Sequence, residues 1–152
     1  MTSAAAPCVL LVEDDTSITR FVAMALDQLP IELLTCTSVP AAVALLEQRD
    51  IQLVITDLML PGESGISLVQ RLSANPQLRG DTLVAVFSAG LTPAVKEQLQ
   101  GMDLWRVLSK PIAVQELESC VRDALALHAL PEADTNTAIC FFIFCLFIVY
   151  CV

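Results

Sequence analysis

Basic residues are scarce in this chain. Eight Lys and Arg stand against 17 Asp and Glu in 152 residues, a formal charge of −9. A nucleic-acid surface needs clustered Lys and Arg facing phosphates, so the charge argues against that class of partner and none is expected. The acidic balance suits a soluble protein, or one that handles cations. There is a single histidine, His128, and no Cys-x-x-Cys pair, which removes the usual mixed zinc site. Cys8, Cys36 and Cys120 fall singly inside apolar segments, and Cys140, Cys145 and Cys151 lie in the carboxy-terminal tail. That placement reads as reduced thiols in a cytosolic protein and not as a disulfide framework. The amino terminus, MTSAAAP, has neither the basic region nor the apolar core of a signal peptide. No internal repeat is visible, and no low-complexity linker interrupts residues 8–130.

The length suits one domain. What fills it is alternation. Five short apolar runs, CVLLV (8–12), IELLTC (31–36), IQLVIT (51–56), TLVAVF (82–87) and the weaker WRVLS (105–109), read as strands. Continuous rather than alternating apolarity marks a parallel strand covered on both faces. Helical stripes lie between them: Ile18, Phe21, Val22, Ala25, Leu26 and Leu29; Val43 and Leu46 after Ser38-Val39-Pro40; Ile66, Val69 and Leu72; Val95 and Leu99, opened by Thr92-Pro93 and stopped at Gly101; and Leu117, Val121, Ala124, Leu125 and His128. Strand and helix alternating five times predict an α/β fold, a doubly wound parallel sheet with five helices. The expected division is a flexible lead-in at 1–7, the domain at 8–130, and a linker and tail at 131–152.

In such sheets ligands bind beyond the carboxyl ends of the strands. The first strand runs into Glu13-Asp14-Asp15, the third into Asp57, the fourth into Ser88-Ala89-Gly90 and the fifth into Ser109-Lys110-Pro111. Packed carboxylates repel unless a hard cation sits between them, and Mg²⁺ favours a few oxygens plus waters and a phosphate. An aspartate in that setting can attack a phosphoryl group, while a lysine and a hydroxyl neutralise its oxygens. Asp57 is the expected nucleophile. Asp15 is the acid expected to serve as a turn or cap residue, and His128 as a surface or half-packed residue.

Four segments, VLLVEDD (9–15), VITDLMLPGESG (54–65), VFSAG (86–90) and LSKP (108–111), together resemble the receiver domain of two-component response regulators, over residues 8 to about 128. The resemblance implies a flavodoxin-like sheet of strand order 2-1-3-4-5, with the ligand site near the reversal of strand order. It implies phosphate transfer to Asp57 from a phosphohistidine on a sensor histidine kinase or a histidine phosphotransfer protein. Mg²⁺ would be held by Glu13, Asp14, Asp57 and the backbone carbonyl of Met59. Ser88 would be the switch hydroxyl, Lys110 the phosphate-contacting lysine, and Lys110–Pro111 a cis bond. Pro61, Gly62 and Gly65 would shape the loop, with glycines where the backbone needs latitude. Such a protein is a cytoplasmic signalling phosphoacceptor and not an enzyme, assisting only its own phosphorylation and dephosphorylation. Phosphorylation would shift the face formed by the helix after residue 92, the fifth strand and the last helix. Only 24 residues follow His128, so output is expected through contacts with a downstream protein; a receiver cut from a larger hybrid kinase is the other expectation.

One departure stands out. The family usually carries an aromatic residue three before the lysine; here that place is Val107, and Trp105 lies five before Lys110 in a segment two residues longer than usual. Two alternatives remain: a pseudo-receiver that binds without being phosphorylated, and an aspartyl-nucleophile phosphatase. The second favours an acid two residues after the nucleophile, where this chain has Met59.

The tail, Ala138 to Val152, is apolar throughout and has no amphipathic face. As a helix it would reach roughly 22 Å, against a hydrocarbon core of about 30 Å, and no Lys or Arg flanks it. Three readings stay open: a short membrane anchor, a non-native extension, or a cover for a hydrophobic groove.

Overall fold

Five parallel strands, β1 (Cys8–Val12), β2 (Glu32–Cys36), β3 (Leu53–Thr56), β4 (Leu83–Ser88) and β5 (Arg106–Ser109), form one sheet in the order β2-β1-β3-β4-β5. The structure is a computed structural model that describes residues 5–129, with side chains to residue 126. The start of the lead-in, the tail and the His128 side chain therefore lie outside the described residues. The pairing registers run Val12↔Cys36, Val12↔Thr56, Thr56↔Val86 and Ser88↔Ser109, so the strands end level along one edge.

The central strands β1, β3 and β4 are buried on both faces, and successive residues divide between two cores. Leu10, Val12, Val54, Val84 and Val86 point to one side, against Val39, Ala42, Leu46, Leu68, Val69, Leu72 and Leu99. Val9, Leu11, Leu53, Ile55, Ala85 and Phe87 point to the other, against Val22, Ala25, Leu26, Leu117, Cys120, Val121 and Ala124. Thus α1 (Thr16–Leu26) and α6 (Val114–Ala129) cover one face. α2 (Val39–Gln48), α3 (Gly65–Ala74) and α5 (Pro93–Gln100) cover the other. The period-2 strand alternation explains why continuous apolar runs are required.

The helices start where side chains can satisfy free amides. Asp15 caps α1 by accepting from Ser17 N–H at 2.7 Å and Ile18 N–H at 3.3 Å. Ser38 caps α2, with Pro40 in its first turn, and Thr92 caps α5, with Pro93 at its first position and Gly101 at its end. Where five helices are expected from the stripes, six are present among the described residues. The additional one, α4 (Pro76–Arg79), is a single turn capped by Asn75, whose Oδ1 accepts from Leu78 N–H at 3.1 Å. Four residues are too few for a hydrophobic stripe, so periodicity has nothing to register. No helix among the described residues is long and apolar enough to cross a membrane.

Candidate functional site: an acidic cluster bridged by a lysine

The level strand ends place the site. Each key residue follows a strand directly and is fastened by its amide to the neighbouring strand: Glu13 N–H donates to Cys36 O at 2.9 Å, Asp57 N–H to Val12 O at 3.0 Å and Lys110 N–H to Ser88 O at 3.1 Å. Three backbones are thus tied edge to edge, and their side chains converge. Glu13, Asp14 and Asp57 each present a carboxylate oxygen within 4.8 Å of the others. Lys110 closes the group, its Nζ donating to Glu13 Oε2 at 2.6 Å and to Asp57 Oδ2 at 3.0 Å.

Glu13 and Asp57 are 3% and 6% exposed, whereas Asp14 is open to solvent at the rim. Burying two carboxylates side by side is costly unless a cation compensates, and Lys110 supplies one charge for both. Burial pulls the Lys110 pKa down, but its hydrogen bonds to Glu13 and then Asp57 outweigh it, so the net direction is upward and the ammonium stays charged. Asp57 has a further donor, Met59 N–H at 3.2 Å from Oδ1, and Glu13 Oε1 accepts from Asp15 N–H at 3.1 Å. Hard oxygen donors, two buried and one at the rim, fit a small divalent cation better than a soft one.

The loop after Asp57 is pinned from behind. Thr56 Oγ1 donates to Asp57 O at 2.9 Å, and Ser64 Oγ and Gly65 N–H both donate to Leu58 O, at 3.0 and 3.1 Å. Of the two glycines expected to give the backbone latitude, only Gly62 uses it, with φ of +82°. Gly65 is needed for space instead: a Cβ there would lie 1.9 Å from the Asp57 carbonyl oxygen. The Lys110–Pro111 peptide is cis.

Ser88 is at the end of β4, next to the strand that carries Lys110, and its hydroxyl accepts from Gly90 N–H at 3.3 Å. Among the described residues that hydroxyl makes no hydrogen bond to the carboxylates, so Ser88 borders the cluster without joining it. Met59 projects its side chain to solvent and touches the cluster through its backbone. Val107 is 43% exposed. Trp105 does not take its place: it is half-buried, packed against the core on the α6 side, with the Arg106 guanidinium 5.4 Å from its ring centroid and its buried indole N–H without a hydrogen-bond partner among the described residues. Phe87 is a contact that reading the sequence overlooked. It reads as one more apolar residue of β4, yet Lys110 Nζ lies 4.9 Å from its ring centroid.

A cleft of about 330 Å³ opens beside Glu13 and Asp14, bordered by Thr35 and Thr37. A larger hollow of about 430 Å³ lies at the opposite edge, where Gln52 and Thr82 precede β3 and β4. It holds none of the clustered residues, so volume alone points away from the chemistry.

The family model described as response regulator receiver domain matches residues 9–122. The chain is 31% identical to the DNA-binding transcriptional regulator NtrC of Azospirillum brasilense over 84% of its own length and 26% of that protein's. It is 33% identical to the virulence sensor protein BvgS of Bordetella pertussis over 86% of its own length and 11% of that protein's. The chain thus spans only a fraction of these relatives. Among solved structures it is similar to the signal receiver domain of an HD domain-containing protein from Pseudomonas fluorescens, with a TM-score of 0.72, 28% identity and coverage of 80% of this chain and 95% of that one.

Proposed function

This chain belongs to the response regulator receiver family, and we propose that it is a phosphoacceptor whose Asp57 takes a phosphoryl group from the phosphohistidine of a sensor kinase or histidine phosphotransfer protein. The observation that carries the reading is the Lys110 ammonium held between Glu13 and Asp57, beside Asp14. One ammonium that neutralises two buried carboxylates and stands 3.0 Å from Asp57 supports the reading, since it would also meet the charge of a group arriving there.

The transfer balances simply. A carboxylate oxygen of Asp57 forms the new P–O bond, the P–N bond of the donor breaks, and its electron pair returns to the imidazole nitrogen, which takes up a proton. Receiver domains bind Mg²⁺ through acidic residues, and here Glu13, Asp14, Asp57 and the Met59 carbonyl would hold it. Held there, the ion would supply positive charge to the phosphoryl oxygens. Lys110 has a third N–H to offer one of those oxygens. The Ser88 hydroxyl, which in this structure accepts from Gly90, can turn its own proton toward another. Asp57 keeps its orientation through Met59 N–H, and the pinned loop keeps Asp57 at the strand end. Output runs through protein contacts on the face of α5, β5 and α6, and the receiver occupies residues 8–130 in the cytoplasm.

The test is incubation with Mg²⁺ and acetyl phosphate. The expected result is an acid-stable, base-labile mass gain of one phosphoryl group that is absent in Asp57→Asn. A folded protein that gains nothing is a pseudo-receiver, the reading favoured by the exposed Val107 and the displaced Trp105. Steady release of phosphate from ester substrates would instead mark a phosphatase. For residues 138–152, higher detergent-free solubility of residues 1–134 than of the full chain is expected if the tail seeks a membrane.

A further inference from the structure

The Lys110 ammonium carries three N–H donors, and two are committed, to Glu13 at 2.6 Å and Asp57 at 3.0 Å. Another side of the head group meets a ring. Nζ lies 4.9 Å from the centroid of Phe87, within the range where an aromatic face attracts a cation. Phe87 pairs with Leu108 across β4 and β5, and is fully buried among Ile55, Ala85, Leu108 and Leu117. A ring so enclosed is held in one rotamer by its neighbours. Lysine, by contrast, has a flexible four-carbon stem and a strongly hydrated head. With the side chain only 14% exposed, that head has lost most of its water. An aliphatic wall would exclude water equally well and give nothing back, whereas the negative face of a ring attracts the charge.

We propose that Phe87 is a positioning residue for Lys110, its ring holding the ammonium between Glu13 and Asp57 so that the third N–H faces an arriving phosphoryl group. The proposal rests on the reading of Asp57 as the phosphoacceptor. The ring takes no part in the transfer itself and acts through Lys110. Plain core packing would explain the burial of Phe87, but packing depends on volume and not on the electron density of the ring. That difference makes the two separable.

The experiment replaces Phe87 site-specifically with mono-, di- and trifluorophenylalanine, which keep shape and apolarity while draining the ring face of negative charge. Unfolding equilibria are measured with Lys110 present and in the Lys110→Met background. The trifluoro ring is expected to lower the folding equilibrium constant about fivefold more with Lys110 than without it, the factor that about 1 kcal/mol of cation–π attraction represents. The initial rate of phosphorylation by acetyl phosphate is expected to fall in steps with fluorine number, to about one-fifth, and Phe87→Leu to lose a similar factor. Equal effects of fluorination in both backgrounds overturn the proposal. Coupling in stability without any change in rate overturns the positioning role. If the unaltered protein takes up no phosphoryl group, the functional reading falls and takes the positioning role with it, while the stability coupling still reports whether ring and ammonium interact.

Discussion

Gly65→Ala adds one methyl group at the point where the start of α3 meets the end of β3. A Cβ at this position would stand 1.9 Å from the carbonyl oxygen of Asp57, 2.9 Å from its carbonyl carbon and 3.0 Å from Thr56 Oγ1. Non-bonded heavy atoms are comfortable at about 3.5–4.0 Å, so one backbone must move by more than about 1 Å. Neither can do so freely. Asp57 N–H is bonded to Val12 O, and Leu58 O is held by both Gly65 N–H and Ser64 Oγ. Overpacking of this kind costs about 1–3 kcal/mol, and each hydrogen bond lost in the displacement about 0.5–1.5 more. The better helix propensity of Ala returns at most about 1 kcal/mol. A net loss of about 3 kcal/mol follows, a large part of the roughly 5–15 kcal/mol that holds a domain folded.

Urea unfolding reads this directly. At an m-value near 2 kcal/mol/M the midpoint falls by about 1.5 M with m unchanged. Gly90→Ala and Gly101→Ala are the controls, since a Cβ at either meets no atom within 4 Å and neither has positive φ; both are expected within about 0.5 kcal/mol of the parent. In the fraction of Gly65→Ala that stays folded, displacement of Asp57 by about 1 Å is expected to slow phosphorylation about 100-fold. A Gly65→Ala protein with the parent's urea midpoint would refute the argument, because the contact at 1.9 Å leaves no unstrained way to place the methyl group.

Mg²⁺ is expected to raise the melting temperature of the parent by binding only the folded site. Asp14→Asn, a change at the exposed rim, should fold normally and lose that shift; an undiminished shift would remove Asp14 from the ion site. Burial is the leading cause raising the thiol pKa of Cys8, Cys36 and Cys120 above the ordinary 9.0. A raised folded value gives stability that is complete below the unfolded pKa and drains away as pH climbs through the folded one. Urea midpoints should therefore decline above about pH 9, and peptide mapping after native alkylation at about pH 8 should find these three cysteines unlabelled; rapid labelling would contradict their burial. Arg79 donates to the carbonyls of Thr82 at 3.3 Å and Asp103 at 3.2 Å and pairs with the Asp103 carboxylate at 2.8 Å. Arg79→Ala should cost about 1–2 kcal/mol and speed amide exchange in residues 101–105, and unchanged exchange there would show that the loop is held by something else.

Much of this architecture is legible in the residues because the parallel sheet demands runs that are apolar on both faces. Strand ends move where local bonds intervene: Ile31 N–H turns back to Leu29 O, and Gln52 is spent on Cys8, accepting from its N–H through Oε1 at 2.6 Å while donating its own amide to Cys8 O. The short α4 escapes a search for stripes, although Asn75-Pro76 is the same cap-and-proline signal as Thr92-Pro93. The convergence of Glu13, Asp14, Asp57 and Lys110 follows from reading which residue leaves each strand, since parallel order brings those exits to one edge. Distance along the chain cannot reveal which face a ring takes. Trp105 counts as near the lysine yet turns to the core under α6, and Phe87, buried in an apolar run, gives no sign that its face meets an ammonium.

Phosphorylation of Asp57, as proposed, changes the charge balance of this site. Three carboxylates and one ammonium leave the cluster at a formal −2, which one divalent cation cancels. On the proposed reading, exchanging the Asp57 charge for a phosphoryl group of about −2 adds roughly one negative unit. Lys110 keeps one uncommitted N–H for that charge, and the Ser88 hydroxyl at the end of β4 is the proposed second donor. On that reading, drawing the hydroxyl inward would displace no aromatic side chain at the Val107 position, since Val107 lies open and Trp105 packs against the core on the α6 side. What it does disturb is backbone. Ser88 O holds Lys110 N–H at 3.1 Å, Ser88 pairs with Ser109, and β5 leads within five residues into α6. With Asp57 as the proposed phosphoacceptor, a shift of β4 against β5 would pass to the start of α6 through this strand pair and not through a swinging ring.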